Sequence, residues 1–296
     1  MHLTAPPPPP VPVEAKLEAI PLEGIELKAE ALVAKHVEVR EPTRGEAKMP
    51  AANVQTWGGV EFIRIPAGKF LMGSKDDNQL ASDGEKPQHT IEILDDYWLA
   101  RYPVTNDQFA KFVEEAAYKF SLEKNWKKKA DHPVVKMSWH DAMAYCKWLD
   151  ETLRGEIKDM QVRLPTEAEW EKAARGEYGN EWPWGNEFDK NKCNSSEGEK
   201  KGTTPAGAYS PQGDSPYGVA DMVGNVWEWG HSLYKSYPYV ADDGREDELA
   251  SGARVLRGGS FRYSQGFARC AFRDFFDPFD RSVFIGFRVV VAPGLG

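Results

Sequence analysis

The sequence predicts an α+β fold with little regular secondary structure, and three observations carry that expectation. Three segments between Thr105 and Gly176 open with a hydroxyl residue followed three positions later by a side chain able to close a capping box. The roughly 120 residues after Gly176 hold only short β-branched or aromatic runs. Those runs are joined by long stretches rich in Gly, Pro, Asn and Asp, the composition of loops held in place by function or by a bound ion.

Residues 1–56 are read as a Pro-rich, aromatic-free arm or linker: Pro6 to Pro10 are consecutive, which favours an extended segment, and the first aromatic residue is Trp57. Residues 57–296 are read as one domain. Its first elements are two short strands within Val60–Gly73, broken by a Pro-Ala-Gly turn at Pro66–Gly68 and expected to form a hairpin. The first helix starts at Thr105 with Gln108, and Phe109, Phe112, Val113 and Ala116 repeat at helical spacing. Ser138 with Asp141 opens the second, whose stripe of Ala142, Tyr145, Cys146 and Leu149 makes Cys146 a core residue. Thr166 with Glu169 opens the third, and Gly176 stands where a C-terminal cap belongs. Beyond it, strands are expected at Val223–Trp229, Arg254–Leu256 and Phe287–Val291.

Composition excludes several functions. The 296 residues are 41% hydrophobic and 28% charged, an ordinary globular balance, and no stretch approaches the length of apolar residues that crosses a bilayer. The net charge of -9, with no basic stripe beyond Lys127–Lys129, argues against nucleic acid as a partner. Three cysteines make no disulfide framework, and the N-terminus has neither the basic region nor the apolar run of a signal peptide, so a cytoplasmic location is expected. The histidines show no metal-ligand spacing, and neither a phosphate loop nor a GxSxG nucleophile elbow occurs.

Two segments depart from background. Phe261–Phe284 packs eight aromatics into 24 residues, where the chain average of 12% gives about three. Four arginines and three aspartates accompany them, with no Lys, Glu, Leu, Ile or Met. No period of 2 or 3.6 runs through the rings, so a recognition surface is favoured over a core segment. The string from Asp221 to Trp229 sets two carboxylates, Asp221 and Glu228, on either side of a turn at Gly224, a hard-oxygen arrangement that suits calcium or, equally, an internally hydrogen-bonded turn.

The strings GGVEFIRIPAGKFLMGS, YWLARYPVTNDQFAKFV, HPVVKMSWHDAMAYCKWL, VRLPTEAEWEKAARG, WPWGNEF, SPYGVADMVGNVWEW and RVLRGGSF with IGFRVV resemble, in order, the formylglycine-generating enzyme (sulfatase-modifying factor) family from Gly58 to Pro293. The resemblance implies a C-type lectin-like α+β fold with its terminal strands paired. It implies structural calcium held by the side chains of Asp221 and Glu228 and the carbonyls of Gly224 and Val226, with a second position near Asn194 and Ser195. Members that oxidise a substrate cysteine bind copper through two cysteines after the RGGS string. Here Tyr263 stands where the first would be and only Cys270 remains, so no copper and no catalytic residue are expected.

The closing segment is more similar to the variable proteins of diversity-generating retroelements. Arg254–Ser260, Arg269, Ala271, Arg273, Pro278, Arg281 and Ile285–Val290 match that scaffold, while Gln265, Cys270 and Phe275 depart from it. The resemblance implies that Arg262, Tyr263, Ser264, Gly266, Phe267, Phe272, Asp274, Phe276, Asp277, Phe279, Asp280, Ser282, Val283 and Phe284 are the varied positions. Each is reachable from an asparagine codon by changing adenines. The expectation is a non-catalytic, receptor-like protein that presents this patch to a macromolecular ligand, a protein foremost, with Phe272→Ala or Phe276→Ala abolishing binding at little cost in stability. The alternative is an oxidase or oxygenase of the same family with a relocated active centre.

Overall fold

The computed structural model describes residues 53–121, 124 and 126–295. The body of the predicted arm lies outside these residues. Its last part does not: β1 (Val54–Trp57) pairs antiparallel with β2 (Val60–Ile65), so the domain starts before Trp57.

A five-stranded sheet runs in the order β1-β2-β5-β11-β6, with β5 at Tyr97–Ala100, β11 at Val290–Ala292 and β6 at Gln161–Arg163. The C-terminal strand β11 thus sits between β5 and β6, its residues almost free of solvent. The expected hairpin does not form. β3 (Gly68–Met72) pairs instead with β4 (His89–Ile93), while β2 stays with β1 and β5. The link between β2 and β3 is fixed by other partners: Ala67 N–H donates to Asp96 Oδ1 at 2.7 Å, and Lys172 Nζ donates to the carbonyls of Pro66 and Gly68. Pro66 has no N–H to give to a ladder, and Gly68, at φ 116°, leaves the extended region there.

The three helices form where the capping boxes place them: α1 (Asn106–Glu115), α2 (Trp139–Ile157) and α3 (Glu167–Arg175). In each, the cap hydroxyl accepts from the backbone three residues on and that residue's side chain accepts in return, which satisfies two donors that the helix start leaves open. Cys146 is buried on α2 as its spacing requires. α3 is buried on every side, although five of its nine residues are charged, because each charge finds a partner. None of the helices among the described residues is long and apolar enough to cross a membrane.

The second sheet, β10-β7-β8-β9, carries the candidate site. Its strands are β7 (Trp227–Leu233), β8 (Arg254–Arg257), β9 (Arg273–Phe276) and the two-residue β10 (Ile285–Gly286). The predicted strand at Val223–Trp229 begins four residues late, because Asp221, Gly224 and Asn225 all have positive φ and turn the chain before Trp227. Of the run Phe287–Val291 only Val290 and Val291 are strand, in β11, while Phe287–Val289 lie between β10 and β11. β9 was not expected from the sequence.

Candidate ligand-binding surface

The segment 254–290 is sorted by depth. Arg254–Ser260, Arg269, Ala271, Arg273 and Ile285–Val290 are buried, whereas none of the fourteen positions implied to vary is buried. Arg262, Ser264, Phe267, Asp277, Phe279, Asp280 and Val283 are exposed, and Tyr263, Gly266, Phe272, Asp274, Phe276, Ser282 and Phe284 are half-buried.

Arginines hold this segment to the rest of the molecule. Arg269 makes a two-pronged contact with Glu85, 2.8 Å on each arm, and reaches Glu181 and the carbonyls of Leu80 and Gly266. Arg273 grips Glu167 in the first turn of α3 with two bonds of 2.7 Å and lies between the rings of Tyr234 and Tyr237. Arg281 pairs with Asp141, the capping residue of α2. Arg257 on β8 donates to the carbonyls of Cys270, Ala271 and Phe272 and pairs with Glu171 on α3. Forked guanidinium contacts fix orientation as well as distance, so the backbone beneath the surface is pinned at four places.

Above this frame the aromatic residues form one connected array around Trp227 of β7, which is buried. The Tyr263 and Phe272 rings lie 5.5 and 5.8 Å from that indole. Phe267 bridges the two, at 5.4 Å from Tyr263 and 5.0 Å from Phe272, and Phe284 packs on Tyr263 at 5.6 Å. The Arg262 guanidinium lies over Phe284. β9 extends the array: strand alternation puts Phe272, Asp274 and Phe276 on one face, a short period of 2 that the surrounding aromatics hide in the sequence. At the far end the turn Asp277–Asp280, closed by a 2.9 Å bond from Asp280 N–H to Asp277 O, projects Phe279 at 74% exposure against His140.

Phe272, Phe276, Tyr263 and Phe284 also pack on the hydrophobic core, so they are floor as much as surface. The sequence reading missed Trp227, His140 and Glu197. Glu197 accepts from Gln265 N–H and from Ser195, and these bonds hold its carboxyl below the ordinary range against the opposing effect of burial. Trp227 lay in the string read for calcium, and nothing in the sequence links it to residues 263–284.

The side chains of Asp221 and Glu228, the expected calcium ligands, have hydrogen-bond partners within the chain. Both oxygens of Glu228 face Arg288, at 2.6 and 2.7 Å, and Trp170 Nε1 donates to it at 2.7 Å, so its charge is already neutralised. Asp221 Oδ2 accepts from Gly207 N–H, and burial raises its carboxyl to about 6. Gly224 approaches Asn194 so closely that a Cβ would meet the Asn194 carbonyl at 2.6 Å, and its N–H donates to Gly258 O. Val226 is buried one residue before β7. Among the described residues no group of three or more His, Cys, Asp or Glu side chains is placed to hold a metal ion. Two oxygens in this region, Asn194 Oδ1 and Thr204 Oγ1, are buried without a hydrogen-bond partner, while Ser195 donates to Glu197. Cys270 is fully buried behind the segment, and burial pushes its thiol well above the ordinary value, away from the thiolate that metal binding or nucleophilic chemistry needs.

With this geometry in view, comparison with known proteins gives a consistent result. A family model for the sulfatase-modifying factor enzyme 1-like domain matches residues 46–293. The formylglycine-generating enzyme of Mus musculus is 30% identical over 292 residues, covering 77% of this chain and 74% of that protein. The inactive C-alpha-formylglycine-generating enzyme 2 of Bos taurus is 32% identical over 258 residues, with 68% and 76% covered. The structure of Treponema denticola variable protein 1 aligns with a TM-score of 0.64 at 24% identity, over 81% of this chain and 98% of that one, a likeness of fold. The architecture is therefore α+β and C-type lectin-like, and the chain belongs to the sulfatase-modifying factor enzyme 1-like family.

Proposed function

We propose that the chain is a non-catalytic binding member of its family, a variable protein of a diversity-generating retroelement that presents the surface between Arg262 and Phe284 to a protein ligand. The observation that carries this reading is the sorting by depth: the fourteen positions lie at or near the surface, and the residues between them that match the scaffold are chiefly buried, with Arg269 and Arg273 among them anchored by ion pairs. Such a surface is a paratope in physical terms. Aromatic rings contribute contact area at small entropic cost, and a pinned backbone limits what is lost on binding. The fold of Treponema denticola variable protein 1 and the existence of an inactive relative agree with the reading. Cys270, the cysteine nearest this surface in sequence, is buried, and burial pushes its thiol up, away from the thiolate that an oxidase of the copper-thiolate kind uses.

The test is to sequence the locus from many independent isolates. Substitutions are expected at the fourteen positions, in codons that differ at adenines, with an adenine-rich near-copy of the segment close by. A segment that is constant across isolates would overturn the retroelement reading. Copper-stimulated oxygen consumption with thiol peptides would overturn the non-catalytic one.

A further inference from the structure

The surface has a charge as well as a shape. Asp274 stands between Phe272 and Phe276 on the outer face of β9, half-buried, and its carboxylate accepts only from the backbone N–H of Phe275, its own neighbour. Asp277 and Asp280 accept from the backbone of the turn that they form, at 3.0 and 3.2 Å. Among the described residues none of the three has an ion-pair partner. Among the described residues of this segment, the exposed guanidinium without a carboxylate partner is Arg262, at the other end of the array over Phe284, because Arg281 is paired with Asp141.

Four buried arginines of this segment are opposed by carboxylates, while buried Arg254 donates to carbonyls instead. Arg257, Arg269, Arg273 and Arg288 are each matched by a glutamate at full or nearly full burial. The contrast makes the three aspartates distinctive: they are carboxylates of the segment with no ion-pair partner among the described residues. Asp274 is the informative one, since burial between two rings raises its carboxyl above the ordinary value. An incoming cation would reverse that penalty. The rings add to the match, because guanidinium and ammonium groups are drawn to aromatic faces, and Phe272, Phe276, Phe279 and His140 line this half of the surface.

We propose that the partner of this surface is a basic protein segment, whose arginine or lysine side chains meet Asp274, Asp277 and Asp280 while their stems cover the rings of Phe276 and Phe279. This rests on the display reading above and names the ligand class for the same site. The net charge of -9 for the whole chain acts in the same direction at long range, speeding the approach of a basic partner at low salt.

The experiment is to pan a phage-displayed library of random peptides over the full chain and, as background, over a variant carrying Asp274→Asn, Asp277→Asn and Asp280→Asn. Asparagine keeps the acceptor oxygens that the turn uses, so the loop stays formed. A second variant with the same change in charge, Glu151→Gln, Glu156→Gln and Asp159→Asn, alters exposed acids at the opposite end of α2 from the surface. The selected peptides are expected to be enriched in Arg and Lys. Their affinity should fall about tenfold or more in the surface variant, steepen in salt dependence with the native surface, and hold in the distant one. Equal losses in both variants would overturn the proposal, since attraction would then come from overall charge. Peptides that lack basic enrichment and are lost on Phe279→Ala would overturn the basic ligand class and leave the display reading standing. If no selected peptide depends on Phe279 or the three aspartates, both readings fail.

Discussion

Arg273 and Glu167 face each other through two parallel bonds of 2.7 Å, one residue on the edge strand β9 and the other in the first turn of α3. Both side chains are nearly solvent-free, and Arg273 is further enclosed by the rings of Tyr234 and Tyr237. Removing one member of such a pair leaves the other as an uncompensated buried charge, so Arg273→Ala is expected to destabilise the fold by about 3–5 kcal/mol. Lysine cannot reproduce the fork or the stacking, so Arg273→Lys should recover only part of the loss. Urea unfolding of the three proteins checks this; a loss below about 1 kcal/mol for the alanine variant would show that the pair does not hold β9.

The surface rings should divide by exposure. Phe279 projects from its turn, and Phe279→Ala is expected to leave the melting temperature within a few degrees. Phe272 packs against Trp227 and Phe267, so Phe272→Ala should cost about 2 kcal/mol. This revises the expectation from sequence that Phe272 and Phe276 are dispensable to stability, because both contribute to the core margin. Thermal denaturation of the single variants separates the two classes, and an order reversed from this one would mean that the array is arranged differently.

Acid should weaken the fold through α3. Burial alone would raise the Glu169 carboxyl, but Arg163, with two bonds of 2.7 Å, and the Thr166 cap hold it below its ordinary value of 4.5. A carboxyl depressed in the folded state adds stability above its unfolded pKa, and that stability is lost as pH falls below about 4.5. In Arg163→Met burial prevails, so the acid limb of a stability-pH curve should move to higher pH. Urea midpoints measured across the acid range test the direction, and an unmoved limb would remove Glu169 from the account.

Glu228 is expected to act through Arg288 and not through calcium. Glu228→Gln leaves a buried guanidinium with one carboxylate fewer, at a cost of about 3–5 kcal/mol. The gap in melting temperature between the native chain and the variant should be the same in calcium and in EGTA. A gap that closes in EGTA would place the ion at this site.

What could be read in the sequence was what is local along it. The capping boxes at Thr105, Ser138 and Thr166 involve residues three apart, and all three helices follow from them. The concentration of rings in 261–284 was equally visible; Phe261 is buried, and the other seven rings are exposed or half-buried. Pairings across long separations were not. Glu228 and Arg288 stand 60 positions apart, so their ion pair was not legible along the chain. β2 and β3 alternate as a hairpin would, yet their partners come from β5 and β4. β9 spans four residues, too few for its alternation to stand out beside Phe275 and Phe279.

The arginine frame has one more effect, on where a side chain can go. Behind the Phe275 side of β9 the ring of Tyr234 lies 4.5 Å from Phe275, with the Arg273 guanidinium 4.3 Å beyond it, and the space further in is taken by matched ions. A hydrophobic residue placed on that side has no oily interior to sink into, because retreat would mean parting a guanidinium from its carboxylate. On that side the layer works as a damp-proof course: it keeps the ring of Phe275 on the outside, where a partner can touch it.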